Sequence, residues 1–258
     1  MFDSHCHPTD IEDPFQVVTS ALHAGLHSML ACGYNRESNR AVLELREHFP
    51  SLPISLGIHP WFADESVDTL PELVERMHPT AIGECGLDFA PEDSIPSREV
   101  QIRAFEAQLD LAQTTGKPVT VHSRRAVPQV FELICAFPRA VGILHAFGGS
   151  CEQALGFVEK GWLIGIGGAV TRPSARRIHK LAQRLPIQAI ALETDAPAIG
   201  LEGVYPPNVR PAHLVQVART LAELRKQCEC DVVEATDRNV ARVLGPETLA
   251  RIPLDSNR

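Results

Sequence analysis

Five short segments of this chain each end on side chains able to hold a metal ion, and that repetition narrows the folds open to it. They are Phe2-Asp3-Ser4-His5-Cys6-His7, Ala81-Ile82-Gly83-Glu84, Val119-Thr120-Val121-His122, Gly142-Ile143-Leu144-His145 and Ala189-Ile190-Ala191-Leu192-Glu193-Thr194-Asp195. Strand-length apolar runs lie at Met1–His5, His27–Ala31, Ile54–Ile58, Ala81–Glu84, Pro118–His122, Gly142–His145, Trp162–Ile166 and Ala189–Glu193. Between them fall segments of helical period, among them Asn35–Phe49, Ser97–Thr115, Val127–Phe137 and Ser150–Lys160. Ser97 starts its helix as a cap, and Gly116 followed by Pro118 stops it. This alternation predicts an α/β fold, either a doubly wound open sheet or a closed barrel. The polar strand ends decide between them. An open sheet would spread the first, fourth, fifth, sixth and eighth strands along a line, whereas a barrel gathers their C-terminal ends around one mouth. The expectation is a single TIM (β/α)₈ barrel occupying residues 1–258 as one domain, with His213–Lys226 and Val232–Leu244 as closing helices.

Composition limits the functions available. The chain is 44% hydrophobic and 22% charged, as globular proteins are, with no apolar stretch long enough to cross a bilayer. The N-terminus lacks the basic-then-apolar pattern of a leader, so the expected location is cytoplasmic. The net charge of −8 argues against an extended electrostatic footprint on nucleic acid. Any phosphate must therefore be recognised locally, by a metal or a small arginine cluster. Seven scattered cysteines argue for reduced thiols, with Cys228-Glu229-Cys230 an incidental close pair. Cys6 and Cys85 read as small core residues, turned away from the neighbouring metal-capable side chains.

His5 and His7 project from one face of their strand, one pleat apart, as chelation of a divalent transition metal requires. Further along come Gly57-Ile58-His59-Pro60, Gly83-Glu84-Cys85-Gly86-Leu87-Asp88, His122-Ser123-Arg124, His145-Ala146-Phe147-Gly148-Gly149 and Leu192-Glu193-Thr194-Asp195-Ala196-Pro197. In order and spacing these motifs, with His5-Cys6-His7, resemble those of the TatD family of metal-dependent hydrolases, within the amidohydrolase-type barrels. Three segments resemble its YjjV-type branch: His122-Ser123-Arg124-Arg125, Ile164-Gly165-Ile166-Gly167-Gly168 and Pro207-Asn208-Val209-Arg210-Pro211.

The resemblance implies two divalent metal ions, zinc, manganese or magnesium. His5 and His7 would hold one, His122 and His145 the other, with Glu84 bridging. Asp195 would complete the first site and touch the nucleophilic water; Asp195 and Glu84 are thus the catalytic residues expected. A bound ion lowers the pKa of its water to roughly 7, and a pair of ions about 4 Å apart suits a phosphodiester. Asp195 is the candidate proton acceptor. Glu193 shares the face of Asp195 and is expected to hold a ligand histidine in orientation, or to touch a third metal.

His59 reads either as a substrate-phosphate contact or as a loop-shaping residue. Arg124 can fork onto a phosphate or pair with Asp88 or Glu84. Arg172, Arg176, Arg177 and Arg210 extend that contact or lie in solvent. Phe147 and Trp61 can stack a base, with core packing the other reading for Phe147. Many relatives carry a histidine where this chain has Val127, which bears on substrate and leaves the metal ligands intact. The leading expectation is a deoxyribonuclease of the 3'-5' exonuclease type, acting on DNA or another phosphodiester at the barrel mouth, with no membrane and no obligatory protein partner. The alternatives are a C–N or ester hydrolase on a small or tRNA-linked substrate, and a metal-stabilised scaffold without turnover.

Overall fold

The structure, a computed structural model, describes residues 1–92 and 94–253. Eight parallel strands follow one another in chain order around one sheet. They are β1 (Phe2–Cys6), β2 (Ser28–Cys32), β3 (Ile54–Leu56), β4 (Ala81–Asp88), β5 (Val119–Arg124), β6 (Gly142–Leu144), β7 (Leu163–Ile166) and β8 (Ile190–Leu192). The last strand returns to the first just beyond their ends. Asp195 N donates to His5 O at 2.9 Å and His7 N donates to Ala196 O at 2.8 Å, so the barrel's seam is stitched by residues of the expected site. The expected (β/α)₈ barrel is the fold observed.

Nine α-helices lie among the described residues: α1 (Pro14–His23), α2 (Arg36–His48), α3 (Leu70–Met77), α4 (Arg98–Thr115), α5 (Val127–Ala136), α6 (Cys151–Glu159), α7 (Arg176–Arg184), α8 (Leu214–Arg225) and α9 (Glu229–Leu244). Their starts follow the local chemistry. Asn35, Ser97 and Ser150 accept from backbone N–H groups of the first turns of α2, α4 and α6. Gly116 ends α4 at φ 70°, the left-handed conformation that glycine adopts without a Cβ clash. A large apolar cluster fills the space between sheet and helices. A smaller one joins Phe2, Ala81, Ile143 and Leu163, near the N-terminal ends of their strands, to Val240 and Leu244 of α9. The C-terminal helix thus plugs the bottom of the barrel, with Asp237 accepting from Phe2 N at 2.9 Å, and leaves the opposite mouth to chemistry. No helix among the described residues is long and apolar enough to cross a membrane.

Each strand differs from its expected bounds by at least one residue, and at β3 and β4 the reason is identifiable. β3 stops at Leu56 because Gly57 bonds the Asn39 side chain, N–H to Oδ1 at 3.1 Å and C=O from Nδ2 at 2.9 Å. β4 continues to Asp88 because Gly86, Leu87 and Asp88 pair with His122, Ser123 and Arg124 of β5. Gly83 (φ 114°) and Gly86 (φ 131°) permit this, since a Cβ at either would strike the β5 backbone, at Thr120 and His122 respectively.

The expectation of reduced thiols is corrected at one place. Cys228 and Cys230 are joined as a disulfide at the start of α9, where the turn into the helix brings their Cα atoms to 5.3 Å. Cys6, Cys32, Cys85, Cys135 and Cys151 are free, and Cys6 and Cys85 are buried as expected.

Candidate metal centre

Strand alternation at the end of β1 turns His5 and His7 inward together, and their Nε2 atoms come within 3.1 Å of each other. β4 delivers Glu84 between them and the far wall. Glu84 Oε2 lies 3.4 Å from His5 Nε2 and 3.3 Å from His7 Nε2. Its other oxygen, Oε1, lies 2.8 Å from His145 Nε2, 3.3 Å from His122 Nδ1 and 3.4 Å from His59 Nε2. One carboxylate therefore serves two groups of imidazoles. Asp195, just beyond β8 at φ 51°, places Oδ1 at 3.7 Å from His5 Nε2 and 3.5 Å from His7 Nε2.

The donor set fits metal ions on the chemistry of its nitrogens. His7 donates from Nδ1 to the Cys32 carbonyl at 2.9 Å, which leaves the neutral ring's lone pair on Nε2, facing Glu84 and Asp195. His122 is turned the other way: Nε2 meets Asp88 Oδ2 at 3.3 Å, and Nδ1 faces Glu84 and, at 3.2 Å, His145 Nε2. Imidazole nitrogens brought this close, around carboxylate oxygens, share a cation better than they share protons. Among the described residues His5, His7 and Glu84, then His5, His145 and Asp195, then His59, Glu84 and His122 form clusters able to hold a metal.

Charge balance in the metal-free cluster makes the same point. Burial alone would raise the Glu84 carboxyl, but His145, His59 and His5 outweigh it and hold the group well below the usual range. Asp195 is likewise lowered, burial being overcome by its bond to His7 and by His145 and His5. Burial drives His5 down to about 4 and His59 to about 3. Against the same burial, bonds to Asp195 and Glu84 lift His7 well above its ordinary value. Bonds to Asp88 and Glu84 take His122 to about 9. Two ionised carboxylates thus demand positive charge in a dry pocket, and protons on His7 and His122 supply it where a cation would.

Two supporting roles escaped the sequence reading. Asp88 accepts from Trp61 Nε1 at 2.8 Å as well as meeting His122, so it fixes the ring from outside. Asp3 lies beneath the seam, accepting from Thr194 N at 3.0 Å, Thr194 Oγ1 at 2.6 Å and His5 N at 3.3 Å. It ties the backbones of His5 and Thr194 together, and burial lifts its carboxyl to about 7. The signals were present: Asp3 and His5 share a strand face, and Asp88 closes the motif that begins at Gly83.

Other expected residues take more specific places. Glu193 is buried and held well above the usual carboxyl range by desolvation. It accepts from Ala146 N, directly after His145, so it fixes that backbone rather than the imidazole ring, and it belongs to none of the metal-capable clusters of the described residues. His59 accepts from Trp61 N at 3.2 Å, shaping its loop, while its other nitrogen faces Glu84. Arg124 is already engaged, 2.9 Å from Glu92 and 3.6 Å from Asp88. Phe147 is corrected to a core residue: it is 2% exposed, packed against Phe157, and has no free face for a base. Trp61, 46% exposed, keeps one. Arg172 and Arg210 are turned onto loop carbonyls, of Gly200 and of Pro207 and Val209.

Imidazoles and carboxylates gathered at the C-terminal mouth of a parallel barrel define a metal-dependent hydrolase. The family described as TatD related DNase matches residues 2–245, and the chain belongs to that family. It is 33% identical to the uncharacterized metal-dependent hydrolase YjjV of Escherichia coli K12, over 92% of this chain and 95% of that one. It is also 33% identical to the 3'-5' ssDNA/RNA exonuclease TatD of Citrobacter rodentium, over 91% of this chain and 93% of that protein. The crystal structure of the Escherichia coli YjjV, a TatD homologue, superposes with a TM-score of 0.87 at 31% identity, covering 94% of this chain and 97% of that one.

Proposed function

We propose that this hydrolase is a phosphodiesterase with two divalent metal ions, a deoxyribonuclease of the 3'-5' exonuclease type, and that residues 1–258 act as one catalytic domain. The observation that carries the reading is the division of Glu84, Oε2 towards His5 and His7 and Oε1 towards His122 and His145. His5, His7 and Asp195 would hold one ion and His122 and His145 the other, with Glu84 between. The histidine-rich donors suit zinc or manganese better than magnesium. When bound, the ions supply Lewis acidity to a phosphoryl oxygen and acidify the attacking water. Asp195, ionised and at the mouth, takes the proton from that water. Asp88 keeps His122 in the orientation that offers Nδ1, and Asp3 keeps the β1 and β8 ends in register. The relatives named as 3'-5' ssDNA/RNA exonucleases support nucleic acid as substrate, and the single mouth supports attack on strand ends.

The reading is tested by turnover of metal-reconstituted protein on 3'- and 5'-labelled single-stranded DNA, beside carboxylic ester and amide substrates. Stepwise shortening from the 3' end is the expected result. Cleavage of carbonyl substrates alone would replace it with a C–N or ester hydrolase.

Metal uptake is expected to be strongly pH-dependent. His7 and His122 are raised in the metal-free cluster, so both carry an extra proton at neutral pH and must lose it to bind metal. Affinity therefore rises with pH, by about tenfold per unit for each proton displaced. Competition with a chelator between about pH 6 and pH 8 measures the slope, and a flat profile would contradict the assignment of these two ligands.

A further inference from the structure

On the His122 and His145 side of the cluster lies an open cavity of about 510 Å³. Resting on the phosphodiesterase reading, we propose that this cavity is the subsite for one terminal nucleotide and selects a strand end carrying a 3'-phosphate monoester. Cavities in this size range hold one small ligand, not a stacked track of bases. One wall is apolar, made by Val127, Pro128 and Ile199, and suits a nucleoside.

The same lining carries three arginines, Arg124, Arg125 and Arg177, in a chain of net charge −8. Arg124 is committed to Glu92 and Asp88. Arg177 donates from Nε to Gly149 O at 3.2 Å, which steadies the guanidinium while its two terminal nitrogens stay available for a fork onto an anion. Arg125 is on the same lining at φ 56°, a backbone conformation that favours glycine, yet the position carries a long cation. Ser123, also on the lining, has a buried hydroxyl with no partner.

The cluster around Glu84 accounts for the scissile phosphate. Arg125 and Arg177 give the cavity capacity for a second anion on the same terminal nucleotide. Hydrolysis of the last diester then adds the water oxygen to phosphorus, breaks the bond to the upstream 3'-oxygen, which takes up a proton, and releases a nucleoside 3',5'-bisphosphate.

Binding and cleavage are measured separately on metal-loaded protein. Calorimetry compares thymidine 3',5'-bisphosphate with thymidine 5'-monophosphate, and gel assays compare single-stranded DNA ending in 3'-phosphate with DNA ending in 3'-hydroxyl. The bisphosphate is expected to bind about tenfold more tightly, and that advantage to fall below about twofold in the double variant Arg125→Ala, Arg177→Ala. The same advantage persists in Arg40→Ala, a change on the exposed face of α2. Equal binding of the two nucleotides, or an advantage that survives the double variant, would overturn the subsite. A preserved bisphosphate preference without cleavage of either DNA would instead overturn the phosphodiesterase reading and leave the subsite standing.

Discussion

Glu84→Ala is expected to strip the protein of both metal ions together and to lower turnover by at least about 10³-fold. Glu84 offers one oxygen to His5 and His7 and the other to His122 and His145, so its loss opens both halves at once. Removing a ligand from only one half, as in His122→Ala, leaves His5, His7, Glu84 and Asp195 intact and should retain roughly one ion. Metal analysis after gel filtration separates the two cases. Wild-type metal content in Glu84→Ala would show that the carboxylate does not bridge. Circular dichroism guards against simple unfolding, which matters because His7 and His122 would lose a counter-charge in a buried space.

The second large effect is expected at Asp195. Asp195→Asn keeps the side chain's shape and leaves the backbone bond from Asp195 N to His5 O untouched, so the seam should hold. What it removes is a proton acceptor, typically worth about 10² to 10⁴ in rate. The loss should fall on kcat, with melting temperature moved by only a few degrees by about 1 kcal/mol or less. A variant that turns over at the wild-type rate would move the acceptor role to another residue. One that fails to bind metal would make Asp195 a ligand first and a base second.

Six of the cluster's members could be read directly from the chain, because each follows an apolar run of strand length and barrel geometry carries the C-terminal parts of the strands to one place. His5, His7, Glu84, His122, His145 and Asp195 needed only periodicity and position. The residues that steady them were less visible. Asp88 was hidden by the glycines around Glu84, which read as the end of a strand although pairing with β5 carries it onward. The role of Asp3 was less visible because its partner Thr194 is 191 residues away. Arginines were harder still. Their long side chains choose partners from the whole surface, so nothing local sends Arg124 to Glu92, Arg210 to its own loop and Arg177 to the cavity. Phe147 left base stacking and core packing both open, and only its contact with Phe157, ten residues on, decides for the core.

The seam between β1 and the end of β8 also fixes when, in the life of the polypeptide, the protein becomes competent. His5 and His7 are made long before Asp195, and before Thr194, which grips Asp3 across 191 residues of chain. The joining of these ends is among the longest-range contacts in the molecule and carries a correspondingly large loop-closure entropy. A nascent barrel still lacking β8 offers two histidines on an unclosed edge, a poor chelate for a divalent ion. Metal loading therefore belongs after closure. On the proposed ligand set, an ion held by both Asp195 and His5 would certify that the ring is complete, and truncated or misregistered chains would be left without it.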